Sequence, residues 1–268
     1  MIYIDKTLRK QQADVVVGNY IVSQRNNGYD CSYYNMSRSP YKNRLRDILI
    51  AEQNNLCCYC MKKLKKDETT TIEHVIPKGP DTTEAILSLY KLKYPNYFTD
   101  VIHRDQFFTT SPFPPFPHQI AYQNLVVACN GILQEYSTKP FCCNQKRGHK
   151  EIVPLIFNSN IANIITYTRS GVLASTNDDS EIKSTITVLN LNNDTLKEIR
   201  ILWAKIKHKN SIHLFNSSNK RELLLVLFGV ELISMLPSIF EPYKKYFTDN
   251  YFWSLLGSYL WFHDYYPV

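Results

Sequence analysis

The sequence predicts an α+β protein, and three observations carry that reading. Two short apolar strand patterns, Thr70–Val75 and Leu125–Cys129, stand apart among segments that mostly repeat with helical spacing. Of the 268 residues, 44% are hydrophobic and 21% charged, the balance of a globular chain and not of a disordered tail. Six of the seven cysteines gather in two groups, at 57–60 and 129–143, a spacing that suits metal better than a disulfide framework.

Each element follows in chain order. The first forty residues are polar and rich in Asn and Tyr with weak periodicity, so 1–39 reads as an irregular arm. A helix comes next, with Ser39 as its cap, Pro40 in its first turn and Leu45, Ile48 and Leu49 on one face. It stops at Asn54-Asn55 and delivers the chain to Cys57-Cys58-Tyr59-Cys60. The first strand breaks at Ile76-Pro77-Lys78-Gly79-Pro80, Thr83 to Tyr94 has helical spacing, and the Pro/Phe-rich residues 104–120 read as a stiff loop. The second strand follows, and a short basic helix opens after Cys143, closing a core that spans 40–150.

The last part, 151–268, reads as strands and then helices. Ile164–Tyr167 and Ile182–Val188 alternate like strands about the turn signal Arg169-Ser170-Gly171. Thr195 to Lys209 is a helix with Leu196, Ile199, Trp203 and Ile206 inward, and the last fifty residues are aromatic-rich helices that fit a core. The apolar run from Leu223 to Leu236 is shorter than the ~18–20 residues of a membrane span, and Glu231 interrupts it. Met1 to Lys6 lacks the apolar stretch of a signal peptide, so the expected location is cytoplasmic.

Lys and Arg number 31 against 24 acids, for a net charge of +7 and an isoelectric point near 8.9, which favours a polyanionic partner. Tyr136 to Lys150 holds Lys139, Lys146, Arg147 and Lys150 with no acid, and Arg200 to Arg221 holds six cations with none. Either stretch could contact phosphate. His103, His118 and His149 read as loop histidines without a role.

The chemistry concentrates in three short motifs. Cys57-x-x-Cys60 is a chelating knuckle, and Cys129 with either Cys142 or Cys143 would close a tetrahedral zinc site. Such a zinc is structural, standing in for core that a small module lacks. The second motif is Ile72-Glu73-His74-Val75-Ile76-Pro77. Neighbours on a flat strand face opposite sides, so Glu73 and His74 share a site only if the strand bends or ends there, as Pro77 suggests. The third is Asn124-Leu125-Val126-Val127-Ala128-Cys129, followed by Cys143-Asn144-Gln145-Lys146-Arg147.

Taken in order, C-x-x-C, E-H-x-x-P, N-L-x-x-x-C and C-N-x-x-R resemble the zinc-bearing HNH endonucleases, whose ββα-metal core clasps one catalytic cation. Leu189-Asn190-Leu191-Asn192 with Leu196, Arg200 and Trp203 extends the likeness to the Septu-type (PtuB-like) nucleases of bacterial anti-phage defence, also found beside some retrons. The resemblance covers roughly residues 40–205 and implies the site roles. His74 matches the general base, Glu73 and Asn144 the ligands of Mg²⁺ (with Mn²⁺ as a substitute), and Asn124 the brace of the loop carrying the base. Cys57, Cys60, Cys129 and Cys143 match the zinc ligands, Cys143 because it directly precedes Asn144.

Two departures stand out. Residues 130–142 separate the last two cysteines, leaving Cys142 as a rival ligand, and Arg147 stands where the family has Lys, with Lys146 beside it as the other candidate for a phosphate. The implied activity is metal-dependent hydrolysis of phosphodiester bonds, in DNA before RNA. The implied partner is a separate ATPase, since the chain has no G-x-x-x-x-G-K-[ST] loop; its expected docking face is the aromatic stretch Phe247 to Phe262. The rival readings are a non-catalytic zinc module that binds nucleic acid or protein, and an RNase using the same site.

Overall fold

The computed structural model of the chain describes residues 1–77, 93, 118–134 and 142–265. The helix expected over 83–94, apart from residue 93, and most of the Pro/Phe-rich loop lie outside the described residues, as do His103 and Lys139.

The N-terminal part is helical, not irregular. Helix α1 (Lys10–Asn26) buries Ala13, Val17, Tyr20 and Ile21, a stripe at i, i+4, i+7 and i+8. Only these four apolar residues face inward along 17, so the polar remainder hides the helical period from sequence inspection. A short α2 (Tyr33–Ser37) follows, capped by the Ser32 side chain, and both pack on α3 (Pro40–Glu52). Helix α3 begins with Pro40 in its first turn, as the sequence predicts, and buries Leu45, Leu49 and Ile50.

Beyond α3 the chain folds into a knuckle over 56–63 and then into β1 (Thr70–His74), which pairs antiparallel with β2 (Leu125–Cys129). The register sets Thr70 opposite Cys129 and His74 opposite Leu125. Every residue of β2 is buried, which explains its unbroken apolar run. Helix α4 (Cys143–Arg147) packs on β2. Together these make two strands and a helix, held from behind by a buried polar cluster. Lys6 Nζ lies 2.6 Å from Glu52 Oε2, donates to Leu125 O at 2.9 Å and sits 3.8 Å from the Tyr122 ring centre. The Tyr122 hydroxyl donates to the other Glu52 oxygen. Partners on all sides are what make a buried ion pair tolerable here.

After the short α5 (Ile161–Ile164), β3 (Ile165–Tyr167) pairs antiparallel with β4 (Leu173–Ser175). Gly171 turns this hairpin at φ +74, where a Cβ would meet the Lys197 carbonyl oxygen at 2.5 Å. The strand expected over Ile182–Val188 is instead helix α6 (Ser180–Val188). The Asp179 carboxylate caps it by accepting from Glu181 N–H and Ile182 N–H, and Ile182, Thr185 and Ile186 bury at helical spacing. A cap signal outweighed a β-branched composition.

Helix α7 (Asp194–His208) runs through the C-terminal part, with Leu196, Ile199, Trp203 and Ile206 buried as the sequence predicts. Around it stand α8 (Ile212–Asn216), α9 (Lys220–Phe228), α10 (Lys244–Thr248), α11 (Asn250–Gly257) and α12 (Trp261–Tyr265). In the stretch expected as a docking face, Phe247, Tyr259 and Phe262 are buried, while Tyr251, Phe252, Trp253 and Trp261 are half-buried. Among the described residues no single helix is long and apolar enough to cross a membrane.

The C-terminal part grips the rest through backbone contacts: Ile4 N–H donates to Ile156 O at 2.7 Å, Lys63 N–H to Ser258 O at 2.7 Å, and Cys143 N–H to Leu189 O at 2.9 Å.

Trp203 is the largest fully buried side chain; its indole N–H donates to Leu256 O at 3.0 Å and its ring meets Phe215 edge-on. Trp203→Ala is expected to lower stability by about 3–5 kcal/mol. Leu225→Ala, at a residue 43% exposed, should stay within about 0.5 kcal/mol. Urea denaturation measures both, and equal costs would contradict the burial described.

Candidate metal centre and adjoining cleft

Three separate stretches bring four thiols together. In the knuckle, Cys57 N–H donates to Lys62 O at 2.8 Å and Met61 N–H returns to Cys57 O at 3.2 Å, with Met61 in the left-handed region at φ +66. This loop presents Cys57 and Cys60. Cys129 ends β2 and Cys143 begins α4. All four are buried, and their Sγ atoms lie within 4.8 Å of one another.

The pairwise distances give the cluster its meaning. Cys60–Cys129 is 3.6 Å, and Cys57–Cys143 and Cys129–Cys143 are each 3.7 Å. A disulfide holds its sulfurs at about 2.05 Å. Four thiolates around one ion at ~2.3 Å in tetrahedral array stand about 3.8 Å apart. The cluster therefore could hold a metal ion, and four sulfurs suit a soft or borderline one such as zinc. Two donors already aim at the sulfurs: Cys129 N–H to Cys57 Sγ at 3.3 Å and the Tyr259 hydroxyl to Cys60 Sγ at 3.6 Å. Such contacts orient and temper thiolate ligands.

Cys143 reaches the cluster at φ +61, a left-handed conformation worth about 1–3 kcal/mol of strain for a residue with a Cβ. Its neighbour Cys142 stands outside the group of four but against it, the thiol lying 3.4 Å from Cys143 Sγ and 3.7 Å from Gly131 O. Gly131 is required there, since a Cβ at its φ of +70 would meet Cys142 O at 2.1 Å. Burial raises the Cys143 thiol well above the usual range. At Cys57, burial acts the same way, but hydrogen bonds from Cys129 and Cys143 pull it below.

Beside the cluster lies a cleft of about 690 Å³, lined by Glu73, His74 and Asn144 among others. Glu73 and His74 both reach it because β1 ends at His74. The His74 ring lies 4.5 Å from that of Tyr33 at 85°, and its Nε2 is 2.9 Å from Gln119 O. A carbonyl oxygen only accepts, so Nε2 carries a proton, and in the neutral ring the lone pair sits on Nδ1. Burial pushes the Glu73 carboxyl up to about 7, opposed by the Thr71 hydroxyl, which donates at 2.7 Å, and by Arg147 and the Asn144 amide.

Asn124 braces the chain just past His74. Its Oδ1 accepts from Ile76 N–H at 2.8 Å, its Nδ2 donates to Ile76 O at 3.1 Å, and its own carbonyl accepts from Val75 N–H at 3.0 Å. It does not line the cleft.

Arg147 departs from expectation. It is 2% exposed, and its guanidinium donates to His74 O at 2.9 Å, Val75 O at 2.7 Å and Lys150 O at 2.8 Å. It clamps the end of β1 to α4 and has no face to offer a phosphate. Arg200 is buried likewise, donating to Gly171 O and Leu191 O, which removes it from the basic stretch considered for phosphate. Lys146 and Lys150 are exposed but do not line the cleft.

Sequence inspection missed Tyr33, Lys42, Arg46 and Lys66, which do line it. For the first, an arm read as irregular gave no reason to look; Lys42 and Arg46 were readable as one helix face, being four residues apart. It also missed Tyr259, for which no sequence signal exists.

No known protein family matches the chain, and no curated protein is detectably similar to it.

If Cys143 and not Cys142 completes the cluster, Cys143→Ser should lose bound metal while Cys142→Ser keeps it. Metal analysis of the two purified variants decides, and the reverse pattern would exchange the assignment.

Proposed function

We propose that the chain is a metal-dependent endonuclease of the HNH type that hydrolyses phosphodiester bonds, DNA before RNA. The observation that carries the reading is the convergence of Glu73, His74 and Asn144 on one cleft, at the end of a two-strand-and-helix unit that four clustered thiols could staple. The order of the four sequence motifs supports it.

In this reading Cys57, Cys60, Cys129 and Cys143 hold Zn²⁺ as a structural cross-link. The Glu73 carboxylate and the Asn144 amide oxygen are hard donors of the kind Mg²⁺ takes. Bound there, Mg²⁺ (or Mn²⁺) would polarise the scissile phosphate and stabilise the leaving oxygen.

The remaining work falls to the chain itself. His74 Nδ1, with its lone pair set by the Nε2 contact to Gln119 O, accepts the proton of the attacking water. Tyr33 packs against the ring and limits its rotation. Asn124 and Arg147 fix the backbone at His74 and just past it, so the base cannot drift from the cleft. Asn124 is a positioning residue, as the resemblance implies, and Arg147 takes the same kind of role in place of a phosphate contact.

A nuclease of this kind needs restraint inside its own cell. We place it in a bacterial anti-phage system under the control of a separate ATPase, in keeping with the Septu-type resemblance and with a chain that carries no phosphate-binding loop.

Incubation of plasmid with the purified protein and Mg²⁺ is expected to yield cut products, abolished by EDTA. His74→Ala should lower the rate by about 10²–10⁴-fold while retaining the clustered metal. Undiminished cutting by that variant would refute the role of His74, and shifted but uncut DNA with the wild type would favour a binding module.

A further inference from the structure

Among the described residues, the cations expected to meet phosphate do not line the cleft, yet the cleft has its own. On the α3 wall stand Lys42, Asn43 and Arg46, with no acid among them. Lys66, on another wall, lines the cleft together with Asp67 and Glu68, and the Asp67 carboxylate is held low by Thr69, Lys65 and Arg46. Cations four apart on a helix are commonly just a solvated face, but two observations set this pair apart. Both are half-buried in the wall that also holds Glu73, His74 and Asn144, and among the described residues neither pairs with a carboxylate. Arg46 donates from Nη1 to Asp67 O at 3.2 Å, which holds its side chain in the wall. A guanidinium and an ammonium side by side in a cleft wall match adjacent phosphate oxygens.

We infer that Lys42 and Arg46 form a phosphate clamp on α3 that seats the nucleic-acid backbone beside Glu73 and His74. The inference rests on the nuclease reading for the identity of the polyanion. It makes the helix ahead of the cysteine knuckle part of the substrate site.

Binding of labelled duplex DNA, and of RNA of the same sequence, is measured over a salt series in the His74→Ala protein, where cutting does not interfere. Adding Lys42→Ala and Arg46→Ala should weaken binding ~10-fold or more and reduce the slope of log affinity against log salt by about two, near one for each phosphate left without its cation. The swap Lys42→Arg with Arg46→Lys should restore most of the slope. If the double alanine protein loses its metal or its fold, the single variants Lys42→Gln and Arg46→Gln decide, each expected to reduce the slope by about one. Unchanged affinity and slope in folded variants overturn the clamp, while cutting by the His74-intact protein leaves the nuclease reading standing. A His74-intact protein that neither binds nor cuts either nucleic acid overturns both.

Discussion

Four sulfurs drawn within 4.8 Å of one another from three distant stretches of chain are the constraint on which the rest of the structure depends. The β1–β2 sheet has only two strands of five residues, too small to stand alone in water. A metal held by the four thiols would tie the sheet's far end, at Cys129, to the 57–60 knuckle and to the first residue of α4. With α4 held there, Arg147 reaches across to the carbonyls of His74 and Val75. With a metal bound, the cysteine cluster would set the geometry of the cleft through one short helix and one buried guanidinium.

The other buried charges repeat this pattern. Lys6 and Glu52 lock the N-terminal part behind β2, and Arg200 ties the β3–β4 turn to α7. In each case a buried cation donates to a backbone carbonyl oxygen: Lys6 to Leu125 O, and Arg200 to Gly171 O and Leu191 O. Buried polar groups of this kind are costly unless fully partnered, and fully partnered they hold one arrangement. The molecule therefore uses several of its cations as internal ties, so its net positive charge overstates what is available to an external polyanion.

Much of this was legible in the chain and some was not. The two core strands, α3, α4 and α7 could be read because each carries a local signal: an all-apolar run, a Pro at the first turn, a clean inward stripe. Cys57, Cys60 and Cys129 were readable from C-x-x-C and the end of the second strand, whereas the choice of Cys143 over Cys142 came from the resemblance, through its adjacency to Asn144. Helix α1 escaped because four buried residues in 17 leave a weak period, and α6 because β-branched residues masked a cap at Asp179. Arg147 misled for a different reason. Sequence shows that a cation is present near a site but not which way it faces, and only the fold turns it inward. Tyr259, 199 residues from the sulfur it contacts, is beyond any local pattern.

What the four thiols hold decides whether the cluster organises the cleft in this way. X-ray absorption at the zinc edge of the purified, full-length protein reads this directly. The predicted result is one zinc per chain with a single shell of four sulfurs at ~2.3 Å. A shell containing nitrogen or oxygen donors, or protein free of zinc with its fold intact, would contradict it.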